Sequence, residues 1–127
     1  MIKDFLILHC IGKKNKIGLR VKNNFFIHVL DQKIDHNDYL VSNILNLLEK
    51  HKAILDDKFS IIVNSGPGSF SSIRTSISIA KGIKISKKIN LYSYKNSDLE
   101  RFEVENIELL ITKGLIQNKL IKPTYLS

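Results

Sequence analysis

The alternation of hydrophobic and polar positions predicts three strands at the start of the chain. Residues 3–10 (KDFLILHC) form an apolar run suited to a central strand, and residues 16–22 (KIGLRVK) alternate with a period of two. The polar segment GKKNK at 12–16 is a turn between them. Asn23 and Asn24 predict a tight hairpin turn into a third strand at 25–30 (FFIHVL), because asparagine tolerates positive φ.

From residue 38 onward the pattern becomes one of helices alternating with strands. Residues 38–52 predict an amphipathic helix with an apolar arc made of Leu40, Val41, Ile44, Leu45, Leu47 and Leu48. A fourth strand follows at 59–64 (FSIIVN), a second helix at 70–86, a fifth strand at 89–94 (INLYSY) and a possible third helix near 98–113. Strands joined through helices in this way are parallel, with right-handed crossovers.

The predicted order β-β-β-α-β-α-β, with one further helix, indicates an α/β fold. It is typical of the actin-like ATPase and ribonuclease H-like architecture, in which helices pack on a mixed five-stranded sheet. The 127 residues suit one domain. We expect that domain to cover residues 1–97, and a C-terminal tail containing a helix to cover 98–127.

Net charge and cysteine content indicate which partners and which cellular compartment to expect. The net charge of +8 favours polyanionic partners, yet the chain has 17 lysines and only three arginines, and arginine is the better phosphate and base reader. The single Cys10 excludes a disulfide within the chain, which fits a reducing cytoplasm. No apolar run approaches the ~20 residues that span a bilayer, and we interpret the first residues as a buried strand rather than a signal peptide. A cytoplasmic protein with no membrane partner is expected.

The first strand argues against metal-dependent catalysis. Nucleases of the ribonuclease H-like fold and actin-like ATPases both need an acidic residue on this strand to hold metal ions, and here His9 and Cys10 stand in its place. The turn Gly12-Lys13-Lys14 could touch an anion, although a solvated basic turn is the simpler interpretation. We expect no metal, no cofactor and no catalytic residue.

Residues 65–76 (SGPGSFSSIRTS) raise a separate question, since Gly-rich turns between a strand and a helix often cradle phosphate. This stretch fits neither the Walker pattern nor a nucleophile elbow. Ser69 and Ser71 are the candidate nucleophiles, but the four histidines are scattered and none is paired with either serine by spacing. We therefore predict a structural turn made of Gly66, Pro67, Gly68, Ser69 and Phe70. Ser69 would cap the helix, with Ser71 as a second candidate cap.

The helix that follows has two distinct faces. One face carries Ile73, Ile77, Ala80 and Ile83, which should bury against the sheet. The nearly opposite face carries only small residues, namely Ser71, Thr75, Ser78 and Gly82. Small residues allow a second helix to approach closely, so this stripe predicts contact with a partner, the alternative being a solvated Ser/Thr face.

Residues 64–85 (NSGPGSFSSIRTSISIAKGIKI) and 89–99 (INLYSYKNSDL) resemble the TsaB (YeaZ) family. The similarity includes the Gly-Pro-Gly-Ser-Phe signature with Arg74 six residues after Gly68, as well as His36 and the segment Pro-Thr-Tyr-Leu at 123–126. The chain departs from the family at His9-Cys10, where an Asp-Thr pair is expected, and at Ser72 and Ser76, where glycines are expected. Because family members are nearly twice as long, the chain resembles a shortened, one-domain form whose tail is a remnant of the second domain.

This resemblance implies a non-catalytic scaffold subunit. Such subunits pair with the TsaD-like catalytic subunit, which transfers threonylcarbamoyl to the tRNA adenosine beside the anticodon, and the TsaE-like ATPase joins them. Pairing uses the first two helices, and we expect the interface to comprise Tyr39, Ser71, Arg74, Thr75, Ser78 and Gly82. Tyr39 is placed on the polar side of its helix, where it would be free to meet a partner. The same helices could instead form a homodimer, and tRNA would be met indirectly.

Two alternatives from other classes remain open. One is a small anion- or nucleotide-binding protein of the actin-like fold that uses the 12–16 turn. The other is a basic RNA-binding module that uses Lys81, Lys84, Lys87 and Lys88.

Overall fold

The computed structural model of the chain describes residues 2–31, 37–118 and 123–125. The strands are β1 (Phe5–His9), β2 (Lys16–Val21), β3 (Asn24–Val29), β4 (Ser60–Asn64) and β5 (Asn90–Tyr94). The helices are α1 (Asn37–Lys50), α2 (Phe70–Lys87) and α3 (Val104–Thr112), with a short 3₁₀ turn at Asn96–Asp98. The predicted order of elements is confirmed. His36 and Leu126, which contribute to the family resemblance, lie outside the described residues.

The five strands form one mixed sheet in the order β3-β2-β1-β4-β5. β1 pairs antiparallel with β2 and parallel with β4, and β4 pairs parallel with β5. The central strand β1 is buried on both faces, since Leu6 and Leu8 enter one core and Phe5 and Ile7 the other. This is why its sequence is a continuous apolar run rather than an alternating one.

Helices cover both faces of the sheet. α1 and α2 pack side by side on one face, where α1 contacts β2 and α2 contacts β4 and β5. On the other face α3 buries Ile107 and Leu110 among Phe5, Ile7 and Tyr94. The C-terminal ends of the parallel strands β1, β4 and β5 therefore lie between two helical layers. None of the helices in the described ranges is long and apolar enough to cross a membrane.

Two local predictions are corrected. The hairpin turn is one residue earlier than predicted: Lys22 and Asn23 have φ values of 53° and 68°, and Asn24 already pairs with Val21. Two positive φ values in succession are what a tight β-hairpin requires, so the turn is centred on Lys22-Asn23. The helical pattern places Leu45 in the buried arc of α1, but it is 53% exposed because it borders a groove between α1 and α2.

Candidate functional site

The turn at residues 65–69 is packed against the end of β1. The N–H of Ser69 donates to the carbonyl of Ile11 at 2.8 Å, and the N–H of Gly66 donates to Asn64 Oδ1 at 2.8 Å. A Cβ on Gly68 would lie 2.7 Å from both the Cβ and the carbonyl oxygen of Ile11. Because the N–H groups of Gly66 and Ser69 are used by the chain itself, these two are not free to bind an anion. The Gly66–Pro67 peptide bond is cis.

The same turn holds the C-terminal segment of the chain. The N–H of Thr124 donates to the carbonyl of Ser65 at 2.8 Å, and Gly68 forms a parallel bridge with Tyr125. The Tyr125 ring lies 4.7 Å from the Phe70 ring, centroid to centroid. Sequence reasoning missed this contact, since nothing in the local pattern links two segments more than fifty residues apart.

Ser69 occupies the N-cap position of α2 with an extended backbone, as predicted, but its side chain makes no capping hydrogen bond. Its hydroxyl lies 3.5 Å from the hydroxyl of Ser71 instead. The two hydroxyls therefore mark the start of the helix without satisfying its first N–H groups.

The small-residue stripe of α2 is only partly exposed. Ser71, Ser78 and Gly82 face outward, and a Cβ added to Gly82 would meet nothing within 4 Å. Thr75, by contrast, is 7% exposed. α2 contacts both the sheet and α1, so the buried part of its circumference extends from the predicted core face onto this stripe. The core face itself is confirmed for Ile73, Ile77 and Ala80, and Ile83 is half-buried.

Two further residues of the predicted interface have partners within the chain. Tyr39 donates its hydroxyl to Asp31 Oδ1 at 2.6 Å and accepts from the Asp31 N–H at 3.1 Å, while its half-buried ring packs against the core. The prediction that Tyr39 is free to meet a partner is therefore wrong. Arg74 is exposed, and its guanidinium lies 5.7 Å from the centroid of the Phe70 ring.

An apolar groove runs between α1 and α2. Its volume is about 300 Å³, and seven of its ten lining residues are aliphatic. They include Val41, Leu45, Leu48, Leu55, Ile79 and Ile83, with Gly82 and Lys87 beside them. We call this surface the α1–α2 groove. Ile85 of α2, which is 83% exposed, is outside the lining of the groove.

A polar cluster occupies the edge where the parallel strands end. His9, Asn64 and Tyr94 are the last residues of β1, β4 and β5, which meet at the same edge of the sheet. The Asn64 Nδ2 lies 3.2 Å from His9 Nδ1 and donates to Asn96 Oδ1 at 3.1 Å, and Tyr94 Oη lies 2.9 Å from His9 Nδ1. We call these residues the strand-end cluster.

The hydrogen bonds of Asn64 favour one tautomer of His9. Because Asn64 Oδ1 accepts from the Gly66 N–H, its amide nitrogen is the atom that faces His9. An amide nitrogen only donates, so this contact favours His9 Nδ1 as an acceptor with the ring proton on Nε2, whereas the Tyr94 hydroxyl at 2.9 Å from the same atom can donate or accept. The sequence contains the three residues but gives no sign that they meet, since they are separated by 30 residues or more.

The groups at this edge are neutral near pH 7. Burial, and secondarily the charge of Lys16, lowers the pKa of His9 to about 4. Burial raises the pKa of Tyr94 well above its usual range, although a hydrogen bond from Asn64 opposes that shift, and burial raises the pKa of Cys10 to about 12. His9 therefore makes its hydrogen bonds with a phenol and an amide as a neutral imidazole, and Cys10 is held as the protonated thiol. In the part of the chain that the structure describes, no group of three or more His, Cys, Asp or Glu side chains could hold a metal ion.

Comparison with known proteins places the chain among curated relatives that share one name. It is 32% identical over 90 residues to the tRNA threonylcarbamoyladenosine biosynthesis protein TsaB of Buchnera aphidicola subsp. Acyrthosiphon pisum (strain APS). It is 29% identical over 85 residues to the protein of the same name from Buchnera aphidicola subsp. Baizongia pistaciae (strain Bp). The chain is a TsaB homologue. These alignments span 69% and 67% of the chain but 41% and 38% of the relatives, and no protein-family model matches.

Solved structures show the same fold for this TsaB homologue. YeaZ from Pseudomonas aeruginosa superimposes with a TM-score of 0.63 at 20% identity, covering 76% of the chain and 45% of that structure. A protein described as uncharacterized, with similarity to peptidase YEAZ from Pseudomonas aeruginosa, superimposes with a TM-score of 0.66 at 19% identity. That match covers 76% of the chain and 44% of the structure. The actin-like, ribonuclease H-like fold predicted from the sequence is confirmed.

Proposed function

We propose that the chain is a non-catalytic scaffold subunit in the threonylcarbamoyl modification of the tRNA adenosine beside the anticodon. It binds a TsaD-like catalytic subunit through α1 and α2, a TsaE-like ATPase joins the assembly in the cytoplasm, and tRNA is contacted indirectly. The observation that carries this proposal is the α1–α2 groove, an open apolar surface on a chain similar to TsaB proteins over about two thirds of its length.

The groove, which includes Leu45 and Gly82, and the exposed face of α2 beside it, which includes Ser78 and Ile85, together offer the small and apolar side chains that a partner helix needs. Ser78 and Gly82 are exposed and small, so another backbone can approach α2 closely. Leu45 and Ile85 are 53% and 83% exposed, and covering each contributes about 1–2 kcal/mol at the usual value for apolar area. We place the interface on Ser71, Arg74, Ser78 and Gly82. Thr75 and Tyr39 contribute through their positions beside the contact, because the chain itself already covers much of their surface.

The strand-end cluster supports a non-catalytic role. Its imidazole is neutral and accepts a hydrogen bond from an amide, whereas an imidazole base that activates a nucleophile is oriented by a carboxylate in many hydrolases. Ser69 and Ser71 have each other as neighbours at 3.5 Å. The chemistry of the modification therefore belongs to the partner subunit in this proposal.

Size-exclusion chromatography with light scattering tests the pairing directly. The purified chain is run alone and with the TsaD-like subunit of the same organism, and we expect a one-to-one complex. Gly82→Lys should abolish the complex, because it puts a long charged side chain on the groove. The fold should be retained, since space is open at that position. Thr112→Lys is the matched control on α3, which packs on the opposite face of the sheet, and should leave the complex intact.

Two outcomes would overturn the proposal. A chain that remains monomeric beside the TsaD-like subunit does not pair with it. A chain that forms a homodimer through the groove, disrupted by Gly82→Lys and unaffected by the TsaD-like subunit, uses this surface for itself. Circular dichroism of each variant keeps loss of folding separate from loss of binding.

A further inference from the structure

The strand β3 forms an edge of the sheet, since among the described residues β2 is its only neighbour. Ile27 and Val29 are 48% and 59% exposed, on the same face of the strand as Phe25, which packs against the core on the α3 side. Proteins often protect such an edge with lysine, proline or a bulge. β3 has no lysine and no proline, in a chain with 17 lysines, and its register with β2 is continuous.

The hydrogen bonding of the hairpin shows which backbone groups of β3 point outward. Val21 and Asn24 flank the two-residue turn, and pairs that exchange hydrogen bonds alternate along the ladder from there. Leu30 donates its N–H inward to the Asn15 carbonyl at 2.9 Å, as this alternation requires. Three residues therefore turn their N–H and C=O groups away from β2, and no backbone bond to those groups is found among the described residues: Phe25, Ile27 and Val29.

A second copy of β3 fits this edge with two-fold symmetry. In an antiparallel pair centred on Ile27, each Ile27 would face its counterpart, and Phe25 would face Val29 of the other copy. All of the outward-pointing backbone groups would then be paired, because the facing residues have the same parity. The exposed Ile27 and Val29 side chains would lie beside apolar neighbours from the other copy. The edge is thus self-complementary, as a two-fold interface must be.

The charges at the ends of the strand favour the same register. Each copy has a net charge of +8, so two copies repel unless the contact itself brings opposite charges together. In the pair centred on Ile27, Asp31 of one copy would lie opposite Asn23 of the other, next to Lys22. Asp31 and Lys22 are both exposed, and the Tyr39 hydroxyl already holds the Asp31 carboxylate through Oδ1. One opposite-charge pair would therefore form at each end of the interface.

The helices leave room for this pairing. α1 contacts β2, and the β2 strands of the two copies would be separated by three strand spacings, roughly 14 Å. That distance exceeds the diameter of a helix, about 10–12 Å, so the two α1 helices would pass side by side without overlap. α2 contacts β4 and β5, so α1 stands between the α1–α2 groove and the β3 edge. The groove of each copy would remain accessible.

We propose that two copies of the chain pair antiparallel through β3, with Ile27 on the two-fold axis, and join their sheets into one. The contact is a narrow strip, so the dimer is weak and forms reversibly. It uses a different surface from the one proposed for the TsaD-like subunit. A dimer of this kind carries two free grooves, and at high concentration it gives an assembly of two copies with two TsaD-like subunits.

Cysteine cross-linking of the full chain tests the register. Ile27→Cys places two thiols on the two-fold axis, where the Cα atoms of a hydrogen-bonded pair lie about 5.5 Å apart, within the range of a disulfide. Oxidation with copper phenanthroline should give a covalent dimer that dithiothreitol reverses. Val29→Cys is the matched control and should not cross-link. Val29 is the more exposed of the two, but it would lie about 13 Å or more from its counterpart. The wild-type chain, in which Cys10 is buried, gives the background.

Sedimentation velocity measures the strength of the pairing. The reduced wild-type chain should pass from monomer to dimer between about 5 and 500 µM, as expected of a small interface. Ile27→Lys brings two like charges together on the axis and should weaken the dimer by about tenfold or more. Leu109→Lys on α3 is the matched control, because Leu109 is 50% exposed and the change in net charge is the same. It should alter dimerisation by less than about twofold.

The proposal is overturned if the wild-type chain stays monomeric at the highest concentration, or if Ile27→Cys and Val29→Cys cross-link equally, as random collision would produce. It is also overturned if Gly82→Lys, and not Ile27→Lys, disrupts the dimer, since the groove then carries it. The complex with the TsaD-like subunit should survive Ile27→Lys, so either proposal can fail without the other. Loss of that complex in Ile27→Lys would assign the edge to the TsaD-like subunit instead of a second copy.

Discussion

The carbonyl oxygen of Thr124 lies where the side chain of any other residue at position 66 would begin. Gly66 has φ of +102°, and an added Cβ would overlap that oxygen and lie 2.9 Å from Ile73 Cδ1. The contact joins the C-terminal segment to the turn that leads into α2. The substitution Gly66→Ala, which adds one methyl group at this position, tests it.

Gly66→Ala should destabilise the chain by about 2–4 kcal/mol, because alanine is strained at this φ and the Thr124 backbone must move. Gly82→Ala is the matched control. It lies in open space within α2, where alanine should stabilise by about 0.5–1 kcal/mol. Urea unfolding gives both values. Equal effects of the two substitutions would mean that neither the positive φ of Gly66 nor its contact with Thr124 is present in solution.

His9 should give the chain a pH-dependent stability. Its pKa is about 4 in the folded chain against an unfolded value of 6.5, so the unfolded state binds the proton first. The contribution is complete above pH 6.5 and is lost as the pH falls toward 4, by about 1–3 kcal/mol for a ring that keeps some contact with water.

The measurement for His9 is NMR titration of its imidazole, together with urea unfolding between pH 4 and 7. His9→Gln keeps a polar side chain that does not titrate, and the difference between the two proteins isolates the histidine from the carboxylates. An imidazole that titrates near pH 6.5 in the folded protein would contradict the buried, neutral assignment.

The donor role of Asn64 predicts the effect of an isosteric change. Asn64→Asp keeps the oxygen that accepts from Gly66 but places the second oxygen against Asn96 Oδ1, which is an acceptor, and against His9 Nδ1, which can donate to it only by moving the ring proton from Nε2 or by becoming charged in a buried site. We expect a loss of about 2–4 kcal/mol at pH 7 by chemical unfolding. Tyr94→Phe removes one hydroxyl from the same cluster and should cost only about 1 kcal/mol. An Asn64→Asp variant more stable than Tyr94→Phe would mean that the amide is oriented the other way.

Arginine introduced at two positions of the small-residue stripe on α2 should have different effects on stability, because one position is buried and the other is exposed. Thr75→Arg forces a guanidinium into a site that is 7% exposed and should cost about 3 kcal/mol or more. Ser78→Arg, one turn later and exposed, should change stability by less than about 0.5 kcal/mol while preventing the complex with the TsaD-like subunit. Thermal unfolding and the light-scattering assay are read together. A stable Thr75→Arg variant would show that this part of α2 is open to solvent.

The elements were predictable because each depends on a local pattern. The apolar run of β1, the alternation of β2 and the helical periods of α1 and α2 all reflect which faces are buried. The exact residues at which strands and turns begin and end are less predictable, because neighbouring registers differ little in energy. The hairpin turn lies one residue earlier than the asparagine pair indicated. Val21 pairs with Asn24, so the two-residue loop between them is Lys22-Asn23, and these two residues take the positive φ values.

The predicted site was less accessible to sequence reasoning, because it depends on contacts between distant segments. Helical spacing correctly grouped Ser71, Ser78 and Gly82 on an exposed face, but it could not show that Thr75 is covered or that Tyr39 binds Asp31. The strand-end cluster was missed for the same reason, because it joins side chains of three strands that lie 30 residues or more apart in the sequence, and no periodicity records such a contact.

The position of β1 in the sheet has a consequence for how the chain folds as it is synthesised. β1 can pair with β2 almost at once, but its other edge pairs with residues 60–63 and stays uncovered until β4 has been made. During that interval an apolar strand presents open backbone hydrogen-bonding groups, the situation in which unfinished chains associate with one another. The slow step in folding should therefore be the arrival of β4, and a chaperone that shields the β1–β2 hairpin should raise the yield of native protein more than one that acts on the finished chain.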